Sequence, residues 1–210
     1  METGLIQINK KKLPLMDTVI SAVNRTYPKA DEKEIEFVFD YEKELETCAI
    51  MQDKRWLGEA VINVLDNAVK YSPCGSKIFI RLQKRNDLVR MEIEDQGIGI
   101  PQNEYHKIFQ RFYRGSSREV MEKSGTGIGL FLSREIIEKH AGTITVTSVS
   151  YTHLDVYKRQ ASDIRKYWSL PLCLATTSYG RKDGRSDTPA TALRISRPHR
   201  RTAVLPMDRQ

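Results

Sequence analysis

The stretch "VRMEIEDQGIGIP", residues 89 to 101, limits the folds open to this chain more than any other. Val89, Met91 and Ile93 alternate with charged residues as in a half-buried strand, and that strand runs directly into Asp95, Gly97 and Gly99. A carboxylate at a strand end, followed by glycines at alternate positions, lets backbone pass close to a flat ligand while Asp95 accepts a hydrogen bond from an exocyclic amine. An ordinary turn is written with the same letters, so the rest of the chain has to decide.

A second glycine element, "GTGIGL" at residues 125 to 130, stands where a helix begins. Gly125, Gly127 and Gly129, with Thr126 and Leu130 between and after them, leave backbone N–H groups facing an anion at the positive end of the helix dipole. No Lys-Ser or Lys-Thr follows, which excludes a Walker loop, and the glycine spacing is too short for a Rossmann fingerprint. Between the two glycine elements lies "IFQRFYRGSS", in which Phe109, Phe112 and Tyr113 can anchor a loop and Arg111 or Arg114 can reach a phosphate.

Upstream, Asp53 is placed to cap a helix over residues 54–71, with Leu57, Val61, Val64, Leu65 and Ala68 at helical spacing. On its other side Glu59, Asn63, Asn67 and Tyr71 step by four, with Lys70 beside them. Such a row is often only a solvated face, but two amides in line with a lysine offer oxygen to a hard cation and a point charge to phosphate. Strands are expected at residues 35–40, 48–51, 77–82 and 88–94, a short helix around 105–112, a helix over about 128–140 and a strand from Thr143. Helices covering one face of a mixed sheet give an α+β class, a two-layer α/β sandwich.

The chain has no apolar run long enough to span a bilayer, and Cys48, Cys74 and Cys173 form no C-x-x-C pair, so a reduced, cytoplasmic protein without a zinc site is expected. The net charge of +7 invites a nucleic-acid reading, but residues 149–210 carry 12 Lys and Arg against 5 Asp and Glu and account for all of it. No aromatic residue is interleaved with the arginines of "RISRPHRR", so nucleic-acid binding is not expected.

In order and spacing these elements resemble the ATP-binding catalytic domain of sensor histidine kinases. "NVLDNAVKYSP" is similar to that family's N box, "DQGIGIP" to its first glycine box, "IFQRFYRG" to its F box, and "GTGIGLFLSREIIEKHAG" to its second glycine box. The resemblance covers about residues 35–148 and implies the Bergerat ATP-binding sandwich shared with gyrase, heat-shock chaperones and mismatch-repair ATPases. It implies ATP and Mg²⁺ as cofactors, with Asn67 as the metal ligand, Lys70 and Arg114 on phosphates and Tyr71 flanking the adenine. Asp95, with Gly97 and Gly99, would read the adenine amino group, while Gly125, Thr126, Gly127, Gly129 and Leu130 would close on the triphosphate. Asn63 and Arg114 are the two residues it places in catalysis. Asn63 stands where gyrase-like ATPases resemble one another in carrying a water-activating glutamate, and an amide cannot take that proton. Slow hydrolysis and transfer to an imidazole therefore suit this chain better, since phosphoryl transfer depends on positioning and charge neutralisation. A related ATP-binding module, such as an anti-sigma-factor-type serine kinase, is the alternative.

The expected organisation is a lead-in over residues 1–34, the catalytic domain over 35–148 and a non-native or disordered basic tail over 149–210. None of His106, His140, His153 or His199 lies in a segment of the S-H-E-L-R-T-P-L form that carries the family's phosphoacceptor, so the acceptor is expected on a dimerisation domain absent from this chain, with a response regulator downstream. The chain thus reads as a fragment of a membrane-anchored parent that itself touches no membrane. The family's hairpin return strand does not follow "GTITVTS"; instead "VSYTHLDVYKRQ", residues 149–160, resembles the translation of two transposase-adapter ends joined head to head. The sheet's last strand is accordingly expected to be missing, with the strand at residues 143–147 left unpaired.

Overall fold

The computed structural model describes residues 6–148, 164–171 and 191–195, so residues 149–160 with their adapter resemblance, and Cys173, His153 and His199, lie outside the described residues. The chain begins with strand β1 (Lys11–Pro14) and helix α1 (Leu15–Glu32), then strand β2 (Glu36–Tyr41), a 3₁₀ turn (Lys43–Leu45) and strand β3 (Ala49–Gln52). Helix α2 (Lys54–Tyr71) follows, then strands β4 (Lys77–Arg85) and β5 (Leu88–Asp95). Two 3₁₀ turns (Gln102–Glu104, Lys107–Phe109) lead to helix α3 (Arg118–Glu122), helix α4 (Gly129–Lys139) and strand β6 (Thr143–Ser148). Strands β7 (Ile164–Pro171) and β8 (Thr191–Ile195) complete the described elements.

Helix α2 forms where its sequence requires. The Asp53 carboxylate accepts the N–H groups of Arg55 and Trp56 at 3.1 Å each, satisfying two of the donors that every helix start leaves open. Leu57, Val61, Leu65 and Ala68 are fully buried, and this face packs on the sheet and against both α1 and α4. The short helix expected around residues 105–112 is instead a single 3₁₀ turn, because the chain must bend sharply there: Phe112 takes φ +65° and donates its N–H to the Gly127 carbonyl at 3.0 Å. The lead-in is more structured than its letters announced. Leu15, Val19, Ala22 and Val23 of α1 belong to the same core as α2, although Pro28 interrupts the donor series inside the helix.

The main sheet runs β6-β7-β5-β4-β2-β8, mixed, with β2 and β4 parallel and the other pairs antiparallel. This corrects the expectation of a missing last strand and an unpaired strand at residues 143–147. β7 lies between β5 and β6, paired from Asp95↔Ile164 to Leu88↔Pro171 on one side and from Thr143↔Ser169 to Ser148↔Ile164 on the other. Residues 191–195 pair with β2 at the opposite edge. The physical reason is that a sheet slot is filled by main-chain N–H and C=O groups, so an extended segment can enter it without the side-chain pattern that sequence reading depends on.

Candidate functional site

A cleft of about 700 Å³ opens between α2, the end of β5 and the loop running from Pro101 to Gly129. That volume suits a nucleotide-sized ligand. Of the residues singled out from sequence, Asn63, Asn67, Lys70, Tyr71, Asp95, Gly99, Arg114, Gly125, Thr126, Gly127, Gly129 and Leu130 all line it. Gly97 does not line the cleft and acts beneath it. Its N–H donates to Asp95 Oδ1 at 3.0 Å, and a Cβ there would stand 2.8 Å from that oxygen and 3.1 Å from the Tyr71 carbonyl.

Helix α2 supplies one wall. Its four-residue stepping turns Asn63, Asn67 and Tyr71 toward the cleft, with Lys70 one turn on from Asn67. Glu59 leaves this row: its carboxylate pairs with Arg25 of α1 at 2.6 Å, which makes it a helix-pairing residue. The side-chain Nδ2 of Asn63 is buried without a hydrogen-bond partner, and the amide faces Gly129, whose added Cβ would stand 3.5 Å from Asn63 Oδ1. A buried donor left open at a glycine-bearing helix start is a place for an anionic oxygen.

The floor is Asp95, only 1% exposed at the end of β5. Opposite α2, the glycine loop is shaped by close approach. Gly127 has φ +71°, and a Cβ there would sit 2.5 Å from the Tyr113 carbonyl oxygen. Gly125 makes room for the Lys70 ammonium, 2.8 Å from where its Cβ would be.

The two cations proposed for phosphate are held by the loop. Lys70 Nζ donates to the Ser124 carbonyl, and Arg114 Nη2 donates to the carbonyls of Val120 and Lys123 at 2.6 Å each. Arg111, the other candidate, stacks over exposed Phe112 at 4.9 Å and does not line the cleft. Of the F-box aromatics only Phe109 anchors by burial, packing with Val146, whereas Phe112 is 61% exposed.

Sequence reasoning missed three supporting residues. Glu104, 5% exposed, accepts Ser116 Oγ at 2.6 Å, and burial together with Glu104's charge and hydrogen bond pushes the Tyr113 phenol above its ordinary value. Lys123 Nζ donates to the Lys70 carbonyl and lies 5.2 Å from the Tyr71 ring, which has Lys70 Nζ 4.8 Å away. Lys33 caps the end of α2, donating to the Val69 carbonyl at 2.7 Å; burial and then the nearby Lys123 charge hold its ammonium below the ordinary lysine value. Glu104 and Lys123 lie in segments that look like ordinary polar loop, so only their spatial convergence marks them.

Among the described residues no group of three or more His, Cys, Asp and Glu converges as a metal site, and no helix is long and apolar enough to cross a membrane. His106 is exposed in the turn between the two 3₁₀ segments.

The chain is similar to known proteins in sequence and in fold. Residues 52–162 match the family described as histidine kinase-, DNA gyrase B-, and HSP90-like ATPase. The sensor-like histidine kinase SenX3 of Mycobacterium tuberculosis is 32% identical over 158 residues, covering 70% of this chain and 38% of SenX3. The sensor histidine kinase CusS of Escherichia coli is 33% identical over 139 residues, covering 66% of this chain and 28% of CusS. The chain thus spans well under half the length of these curated relatives. The solved structure of the mycobacterial sensor histidine kinase MprB superposes with a TM-score of 0.65 at 28% identity, covering 77% of this chain and 97% of that one. With more than half its residues matched, and with the cleft built from the matched segment, the chain belongs to the histidine kinase-, DNA gyrase B- and HSP90-like ATPase family.

Proposed function

We propose that this chain is the ATP-binding catalytic domain of a two-component sensor histidine kinase, which positions Mg²⁺-ATP for transfer of its γ-phosphoryl group to a histidine on a separate dimerisation domain. The observation that carries this reading is the convergence on one cleft of Asn63, Asn67, Lys70, Asp95, Arg114 and the 125–130 glycine loop, from segments up to 67 residues apart in the chain.

The residues present fit the group. Asp95 is a buried acceptor at the floor, suited to the adenine amino group, with the Tyr71 side of the cleft beside it. With no carboxylate cage among the described residues, a divalent ion would rest on the Asn67 amide oxygen and on the nucleotide's own phosphates, an arrangement Mg²⁺ accepts. The open Asn63 Nδ2 and the N–H groups at the start of α4 suit phosphate oxygens. Lys70 and Arg114 neutralise charge there on leaving the loop carbonyls they now hold. Bound Mg²⁺-ATP supplies the phosphoryl group and the metal charge. Both carboxylates of α2 are engaged away from Asn63: Glu59 is tied to Arg25, and Asp66, which does line the cleft, is tied to Lys29 at 2.9 Å. The site therefore favours transfer over hydrolysis.

In this proposal the parent kinase sits in the membrane, with this domain on the cytoplasmic side and a response regulator receiving the phosphoryl group from the dimerisation domain. In the test, radiolabelled ATP is supplied to the full chain alone and together with the phosphoacceptor hairpin of a related kinase. Label is expected on the hairpin's histidine only, and Arg114→Ala should diminish it. Label on His106 or His140, or rapid release of free phosphate, would overturn the reading.

A further inference from the structure

His140 lies far from the cleft in the chain's own logic, at the C-terminal end of α4, yet it is 3% exposed and fully hydrogen-bonded. Its Nδ1 donates to the Ile136 carbonyl at 2.7 Å, and its Nε2 accepts the Asp53 N–H at 3.0 Å. These two partners demand one tautomer of a neutral ring: a carbonyl can only accept and an N–H can only donate. The turn carrying the ring is tightly closed, with Ala141 at φ +61° and the Gly142 N–H on the Ile137 carbonyl at 2.9 Å.

Asp53 is the N-cap of α2, so the imidazole ties the end of one cleft helix to the start of the other. Two further contacts follow along the same seam. Ser133 Oγ, fully buried, donates to the Ala60 carbonyl at 3.1 Å, and Gly129 then faces Asn63 at the cleft. α4 is 11 residues long, a rod of about 16 Å, so a change at its far end alters the angle at which Gly129 meets Asn63.

We infer that His140 is a positioning residue whose protonation loosens nucleotide binding, by replacing the acceptor that holds α4 to α2 with a second donor. This rests on the nucleotide-site reading above. The charged groups acting on the ring are Lys10, from the segment before β1, and Asp53. Burial lowers the imidazole below its ordinary value and Lys10 adds to this, against the opposing pull of the Ile136 carbonyl and the Asp53 charge. Proton uptake by the ring therefore takes place on the acid side of ordinary histidine behaviour.

The test measures ADP affinity by calorimetry between pH 8 and pH 5.5 for the full chain and for His140→Gln, whose side-chain oxygen accepts the Asp53 N–H and does not titrate. Comparing the two cancels the titration of ADP itself. Equal affinities are expected at pH 8, with the parent chain losing roughly fivefold more than His140→Gln by pH 5.5, the loss of one hydrogen bond at the seam. His140→Leu, which lacks the acceptor at every pH, should be weakened throughout. Superimposable pH profiles for the parent chain and His140→Gln, with normal binding at pH 8, would overturn the inference and leave the nucleotide reading intact. Absence of ADP binding at pH 8 in the parent chain would overturn the nucleotide reading itself. Loss of the near-UV circular dichroism signal before loss of affinity would show that the ring serves only the fold, and would also overturn the inference.

Discussion

Replacing Gly127 with alanine separates two roles that a loop glycine can have. The residue sits at φ +71°, where a side chain costs about 1–2 kcal/mol of backbone strain. The added Cβ would also fall 2.5 Å from the Tyr113 carbonyl oxygen and 2.7 Å from the Phe112 carbonyl carbon, both rigid backbone. Relieving that overlap means parting the loop from residues 112–113, which breaks the Phe112 N–H to Gly127 carbonyl bond, a further ~1 kcal/mol. The combined cost of about 2–3 kcal/mol falls on the cleft wall and not on the core, to which neither Phe112 nor Gly127 belongs. Nucleotide affinity measured by calorimetry should therefore fall by up to roughly 30- to 150-fold as the displaced loop no longer closes on the ligand, alongside a stability loss at least as large as that of a glycine strained without overlap. Gly75→Ala is the matched control: Gly75 has nearly the same φ, +72°, but an added Cβ there meets nothing within 4 Å. It should lower stability by about 1 kcal/mol and leave affinity unchanged. Equal affinity losses in the two variants, or none in Gly127→Ala, would refute the argument from backbone approach.

Asp95→Asn keeps the shape of the buried floor but removes its charge, and should cost about 1–3 kcal/mol of ADP binding by calorimetry; unchanged affinity would remove Asp95 from adenine recognition. Burial alone would raise the Asp53 carboxyl, but the N–H groups of Asn9, Trp56 and Arg55 outweigh it and hold it below the ordinary 3.8. A depressed carboxyl stabilises the fold above its unfolded value and loses that contribution as pH falls through the lower, folded one. Asp53→Ala should thus cost about 1–2 kcal/mol in urea unfolding at pH 7, with the gap to the parent chain closing as the pH falls well below 3.8. Amplification of source DNA across codon 148 is expected to yield a reading frame that departs from this chain beyond Ser148; an uninterrupted frame through Gln210 would dispose of the adapter reading of residues 149–160.

The cleft was unusually legible because its chemistry is local. Asn63, Asn67 and Lys70 share one helix, so their spacing alone puts them on one face. Asp95 and Gly99 follow one strand, and Gly125 to Leu130 head one helix, so each group could be placed before any tertiary contact was known. The bounds of α2 follow from its cap at Asp53 and its apolar stripe, which is why the expected and observed helices coincide at 54–71. Tertiary structure decided whatever depended on where separate segments meet. It chose Arg114 over Arg111 for the cleft, left Phe112 in solvent while burying Phe109, and turned Glu59 away to Arg25. It brought His140 to Asp53 across 87 residues, a pairing that no periodicity records. It also set β7 between β5 and β6 and β8 against β2, because main-chain ladders respond to an open slot and not to the side-chain alternation by which a strand is read from sequence.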